Sequence, residues 1–170
     1  MDLNSLNGLS SSEAFDEFLK CCGSREWARR MAGARPIESL AQLRTRSSEI
    51  WRALDIDDWL EAFRSHPKIG GSKAAEKVSE QSRGWSGEEQ VGVKSASQQV
   101  LGELDSLNKK YEDKFGFIFI VCATGKSSEE MLAILKSRLN NDPETEIRNA
   151  ASEQEKITEI RLGKLILPGS

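Results

Sequence analysis

The chain carries a single histidine, His66, inside the stretch FRSHPKIGG at 63–71. Imidazole is the side chain whose ordinary protonation range straddles neutral pH, so it suits a general acid or base. His66 follows Phe63 by three residues and continues the apolar face of that segment. Pro67 disfavours helical geometry at the residue before it, so a helix ends at His66. The imidazole would then stand at a helix C-terminus, walled by apolar residues and facing a loop. A purely structural reading is also open: a histidine near a helix end is favoured by the helix dipole.

Two further places invite the same double reading. In WSGEEQVGV, Ser86 and Glu89 have S-x-x-E spacing, which as structure is a capping box. As chemistry, a helix N-terminus binds anions, and a carboxylate there could exchange protons with a substrate. Gln90 is an amide that could hydrogen-bond a ureido or imide group, or simply face solvent. In EKITEIRLGKLIL, Ile157, Arg161 and Leu165 are four residues apart, so an arginine interrupts an apolar stripe. An inward guanidinium needs an anionic or carbonyl partner, and a substrate carboxylate matches its fork. The alternative is an arginine that snorkels outward or caps the last turn. Cys122, within FGFIFIVCA, reads as a small buried hydrophobe rather than a nucleophile. KIGGSK and ATGKSSEE both lack the spacing of a phosphate-binding loop.

Composition narrows the classes that could use these groups. The chain has 170 residues, 38% of them hydrophobic and 30% charged, which is enough for one folded domain with a core. Its formal net charge of −3 lacks the basic footprint of a nucleic-acid binder. No apolar run reaches membrane-spanning length. The polar, acidic start MDLNSLNGLSSSEAF is neither a secretory signal nor a transit peptide. Three cysteines, Cys21, Cys22 and Cys122, make an odd set without C-x-x-C. That argues against a disulfide framework or structural zinc and for a reducing, intracellular compartment.

Helical patterning supplies the elements that must position the candidate groups. Ser10 and Glu13 form a capping box before Phe15, Phe18 and Leu19 on one face. Ser24 caps SREWARRMAGA, and Gly33 lies near its end. After Pro36, the residues Leu40, Leu43, Ile50 and Trp51 make an inward stripe. Asp55 precedes a short helix with Ile56, Trp59, Leu60 and Phe63 inward. Residues 67–85 read as a loop with one helical turn around 74–78. A long helix is expected from Ser86 to about Asp113, with Val93, Ala96, Val100, Leu104, Leu107 and Tyr111 along its seam. The dense apolar run at 115–123 could be a strand or a buried piece within a helical fold. A lone strand has nothing to pair with, which favours the buried piece. Ser127 and Glu130 form another capping box, and Asp142-Pro143 opens a last helix running to about Leu165. The end, LILPGS, looks like the start of a linker.

Taken together, HPKIG, WSGEEQVGV, LNKKYEDKFGFIFIVCATGKS and EIRLGKL, in that order, resemble the 2-oxo-4-hydroxy-4-carboxy-5-ureidoimidazoline (OHCU) decarboxylases. The likeness runs from about Leu9 to Leu167. It is nearest to the N-terminal domain of plant bifunctional allantoin synthases, in which a transthyretin-like hydroxyisourate hydrolase domain follows. The resemblance implies an all-α, single-domain helical bundle over 1–167, with 168–170 a tail or linker. It implies a homodimer, no metal or organic cofactor, and a peroxisomal or cytoplasmic location. The small-molecule substrate would be OHCU, decarboxylated to (S)-allantoin in urate degradation; no nucleic acid or membrane partner is implied. Residue by residue, it implies catalytic roles for His66, Glu89 and Arg161. Pro67, Ser86, Gln90 and the backbone of Phe119, Ile120, Val121, Cys122 and Ala123 would bind substrate. Ile118 departs from the pattern, since many members carry proline there. Two other readings of the same residues are a non-enzymatic helical interaction module and a hydrolase of a related ureide. Convergence of His66, Glu89 and Arg161 on one cavity separates the enzyme readings from the module.

Overall fold

The computed structural model describes residues 1–66 and 98–167. Among them are eight helices and no strand, in agreement with the all-α expectation: α1 Leu3–Gly8, α2 Ser11–Cys21, α3 Arg25–Gly33, α4 Leu40–Ala53, α5 Ile56–Arg64, α6 Gln98–Phe115, α7 Ser128–Arg138 and α8 Pro143–Leu165. The chain divides into two compact units, Met1–Ala62 with Glu155–Ser170, and Phe63–Gln154. The α8 sequence contributes to both.

In the first unit the helix starts follow from local side-chain chemistry. Ser10 and Glu13 close a full capping box on α2, and Ser24 accepts from the Trp27 amide at the head of α3. α2 packs on α3, and α3 on α4. Phe18 and Trp27, both fully buried, meet edge to face with ring centroids 5.9 Å apart, a geometry the ring quadrupoles favour. The Trp27 indole N–H donates to the Ser47 carbonyl at 3.3 Å, so the buried ring keeps no unpaired donor. Ser47 itself is buried on α4 with Leu43 and Trp51, while Leu40 and Ile50 are only half-buried. The α4 stripe is thus rotated from the expected one. Ile56 is 52% exposed, against its expected inward place, because it begins α5 and the first turn of that helix is uncovered. The chain ends are tied together: the Met1 ammonium donates to the Leu165 carbonyl at 3.1 Å, and the Leu167 amide donates to the Met1 carbonyl at 3.1 Å.

In the second unit α6 packs on α7. The buried seam of α6 holds Leu104, Asn108 and Tyr111. Asn108 stands where Leu107 was expected, Leu107 being half-buried. Helix α6 ends at Phe115, and Gly116, at φ 83°, turns the chain out of the helix. An L side chain is disfavoured at that φ, which explains the glycine. The Gly116 amide still reaches the Glu112 carbonyl at 2.8 Å. The run after it is neither helix nor strand; Phe117 and all of 119–123 are buried. Phe63, Tyr111, Phe115, Phe117 and Phe119 form one aromatic cluster, with neighbouring centroids 4.6 to 6.3 Å apart. Ser127 caps α7 by accepting from the Glu130 amide. Instead of closing the expected reciprocal box, its hydroxyl donates to the Glu130 carboxylate at 3.2 Å. Asp142 caps α8 by accepting from the Thr145 amide at 2.7 Å, with Pro143 at the first helical position as expected.

Candidate active site

His66 lies two residues beyond α5, and its amide donates to the Phe63 carbonyl at 3.2 Å. The chain leaves the helix where the following proline predicts. The residue is 9% exposed. Its Nε2 lies 2.5 Å from Oε1 of Gln154, a fully buried side chain 88 residues further on. This nitrogen therefore faces a tertiary partner on α8 and not the last-turn carbonyls of α5. The helix-cap reading of the histidine does not describe this contact.

The segment 119–123 is held by side chains rather than by a ladder. The Arg138 guanidinium donates through Nη1 to the Ile120 carbonyl and through Nε to Glu146 Oε1. It also lies over the Phe119 ring, 4.7 Å from the centroid. Glu146 has no exposed surface. Its Oε1 also accepts from the Tyr111 hydroxyl at 2.6 Å. Its Oε2 accepts from Asn141 at 3.0 Å and Asn149 at 3.3 Å. A buried carboxylate needs such partners, since leaving it unpaired is expensive. The same arrangement pushes the Tyr111 phenol well above its ordinary range, first through burial and then through its hydrogen bond to Glu146. Two residues further along the segment, the Cys122 amide donates to Glu153 Oε1 at 3.1 Å. The Cys122 carbonyl accepts from Lys126 Nζ at 2.7 Å. Consecutive α8 residues, Glu153 and Gln154, thus reach two predicted site elements, the Cys122 backbone and the His66 ring.

Arg161 belongs to the first unit and is 5% exposed, so it points inward and does not snorkel. Its positive charge acts on two buried thiols. Burial pushes the Cys21 thiol far up, and Arg161 is the largest opposing influence. Burial pushes Cys22 up to about 11, while the Ser24 amide, the Thr158 side chain and Arg161 pull it back. None of the three cysteines is in a disulfide and all are buried, so Cys122 is the small buried hydrophobe its surroundings suggested. Pro67, Ser86, Glu89 and Gln90 lie outside the described residues, as does the loop expected at 67–85. A cavity of about 330 Å³ in the first unit, lined by Arg44, Ser48, Arg52, Glu155 and Glu159 among others, involves none of the predicted site residues.

Sequence reasoning missed Gln154, Glu153, Arg138 and Glu146. A signal for two of them existed. Stepping back from Arg161 by three or four residues along α8 leads through Thr158, Gln154, Ala150 and Glu146, all buried. Polar residues recur on that inward row, as Arg161 already hinted. Arg138 and Glu153 had no such signal.

An all-helical fold with a buried imidazole held by a buried amide, beside a non-helical segment pinned by side chains, defines a protein built to present backbone and ring nitrogens at fixed positions. The OHCU decarboxylase family model matches residues 7–163. The chain belongs to the OHCU decarboxylase family. It is 42% identical over 151 residues to the Uric acid degradation bifunctional protein TTL of Arabidopsis thaliana, covering 88% of this chain and 46% of that protein. The 2-oxo-4-hydroxy-4-carboxy-5-ureidoimidazoline decarboxylase of Amia calva is 28% identical over 172 residues, covering 98% and 95%. A crystal structure of OHCU decarboxylase in the presence of (S)-allantoin superposes with a TM-score of 0.77 at 39% identity, covering 88% of this chain and 96% of that one. The chain spans about half the length of the bifunctional plant relative. No helix among the described residues is long and apolar enough to cross a membrane.

Proposed function

We propose that this chain decarboxylates OHCU to (S)-allantoin, acting as a carboxy-lyase in urate degradation. The observation that carries the reading is the buried His66, clasped by Gln154, in a chain of the OHCU decarboxylase family. The chemistry of the substrate supports it. One ring carbon bears both hydroxyl and carboxylate, next to a C=N bond. When the carboxylate leaves as CO2, the electron pair of the broken bond forms a carbon–carbon double bond, and the C=N electrons move onto nitrogen, which takes up a proton. The hydroxyl then becomes the carbonyl of allantoin as its proton departs. A proton is delivered to the neighbouring ureido-bearing carbon from one face, which sets the S configuration. The substrate contains its own electron sink, so the protein need only orient the carboxylate and manage protons.

In this reading His66 faces the hydroxyl and carboxylate as base or hydrogen-bonding group. Glu89 holds the ureido or ring N–H groups and relays a proton. Arg161 and Gln90 fix ring carbonyls or the carboxylate, with Pro67, Ser86 and the 119–123 segment lining the substrate. That segment's Ile120 carbonyl and Cys122 amide are already engaged by Arg138 and Glu153. They would shape its path, leaving other backbone groups to meet substrate. The reading extends to a homodimer, a peroxisomal or cytoplasmic location and, in a longer polypeptide, a following hydroxyisourate hydrolase domain. Removing a proton-transfer group costs about 10² to 10⁴ in rate. His66→Asn should therefore fold normally and lose (S)-allantoin formation by that order, measured by circular dichroism in a coupled urate assay. Wild-type formation of (S)-allantoin by this variant would remove His66 from the mechanism.

A further inference from the structure

We propose that Gln154 is a positioning residue that fixes the tautomer and orientation of His66. The inference rests on the reading of His66 given above and deepens it. An amide oxygen can only accept a hydrogen bond. With Gln154 Oε1 at 2.5 Å from Nε2, that ring nitrogen must carry a hydrogen. In a neutral imidazole the lone pair then resides on Nδ1, the nitrogen on the other side of the ring. Nδ1 is thereby made the basic atom of His66, and Nε2 is committed to the fold.

The surroundings make the contact a durable one. Gln154 is fully buried and His66 nearly so. Loss of one partner in such a place leaves a polar group desolvated and unsatisfied. Gln154 is carried by the 23-residue helix α8, a rigid base for one side chain. Its neighbour Glu153 fixes the Cys122 amide at 3.1 Å. One turn of α8 therefore sets both the ring and the nearby backbone, and a displacement of either is felt by the other. Glutamine suits this task better than a carboxylate. It accepts from Nε2–H without placing a negative charge beside the ring.

The only histidine in the chain makes the test unambiguous. In ¹⁵N-histidine-labelled protein, long-range proton–nitrogen spectra show one imidazole. The expected result is a pyrrole-type Nε2 and a pyridine-type Nδ1 in the wild type. Gln154→Met, close in shape but lacking the amide oxygen, should mix the two tautomers. It should lower kcat by about tenfold or more, within the limit of about 10² to 10⁴ set by losing the imidazole, with KM little changed. Gln154→Glu keeps an acceptor and should keep the hydrogen on Nε2. A pyrrole-type Nδ1 in the wild type overturns the proposal, whatever the variants do. So does an unaltered tautomer in folded Gln154→Met. These spectra do not depend on turnover, so they separate this proposal from the catalytic assignment of His66. An inactive His66→Asn together with a pyrrole-type Nδ1 would leave the mechanism standing and remove Gln154 from it.

Discussion

The two compact units use their buried polar side chains differently. The first unit encloses Phe18, Trp27, Met31, Leu43 and Trp51, and its buried polar residues are Ser24, Ser47, Thr158 and Arg161. Ser24 is a helix cap and Ser47 supplies a carbonyl to an indole, so both serve local packing. Its ion pairs, such as Arg52 with Glu155 and Arg25 with Glu61, have the arginine well exposed and contribute little stability. The second unit buries His66, Asn108, Ser128, Arg138, Glu146 and Gln154. An apolar replacement of similar volume is often no less stable than a buried ion pair. The polar interior of the second unit is therefore best understood as positioning. Arg138, paired with Glu146, holds the Ile120 carbonyl, and the neutral Gln154 amide holds a ring.

The sharpest way to break this contrast is to remove Glu146. Glu146→Ala strands the Arg138 charge among aromatic rings and should cost about 3–5 kcal/mol in urea unfolding. The double variant Arg138→Met with Glu146→Leu should regain most of that stability yet remain slow in the coupled assay, because nothing then pins Ile120. Full activity in the stable double variant would show that the pair serves stability alone.

The first unit makes the next test. Cys22 keeps its proton in the folded chain, with its pKa raised from 9.0 to about 11 mainly by burial. The unfolded chain loses that proton first. The thiol's contribution is thus complete below about pH 9 and disappears as pH rises towards 11. Cys22→Ala should flatten the fall of stability over that window by roughly 1.4 kcal/mol per pH unit at most, as read from denaturant titrations. Equal slopes in the two proteins would mean that the thiol is not shielded as described. The smallest effect belongs to the α7 cap. Ser127→Ala removes the acceptor for the Glu130 amide and should cost about 1 kcal/mol. A larger loss would point to a role for the Ser127–Glu130 side-chain contact beyond capping.

What could be read from the chain alone was local. Ser10, Ser24, Ser127 and Asp142 each accept from an amide three residues on, so their spacing announced the helix starts. Spacing between Ile157 and Leu165 left Arg161 open between an inward and a snorkelling side chain, and the burial of all three shows it inward. His66 stood out as the only imidazole of the chain, and the motif around it strengthened the reading. Rotation of a helix about its axis was less legible. Ser47 rather than Ile50, and Asn108 rather than Leu107, face inward, because the packing of neighbouring helices sets which face of a helix is covered. Burial at a helix start was also misjudged at Ile56, where coverage depends on a neighbour that periodicity does not contain.

By itself, the order of residues pointed to a helical chain, to the starts of α2, α3, α7 and α8, and to which imidazole and guanidinium were the candidates for chemistry. Those properties depend on contacts within a turn or two of the backbone, or on motifs spelled out in order. Only the tertiary structure decided that Gln154 meets His66 across 88 residues, and that Arg138 reaches both the Glu146 carboxylate and the Ile120 carbonyl. A polar side chain on a helix reads as solvated until a distant element removes its water. That exchange of water for a partner is a property of the packed fold.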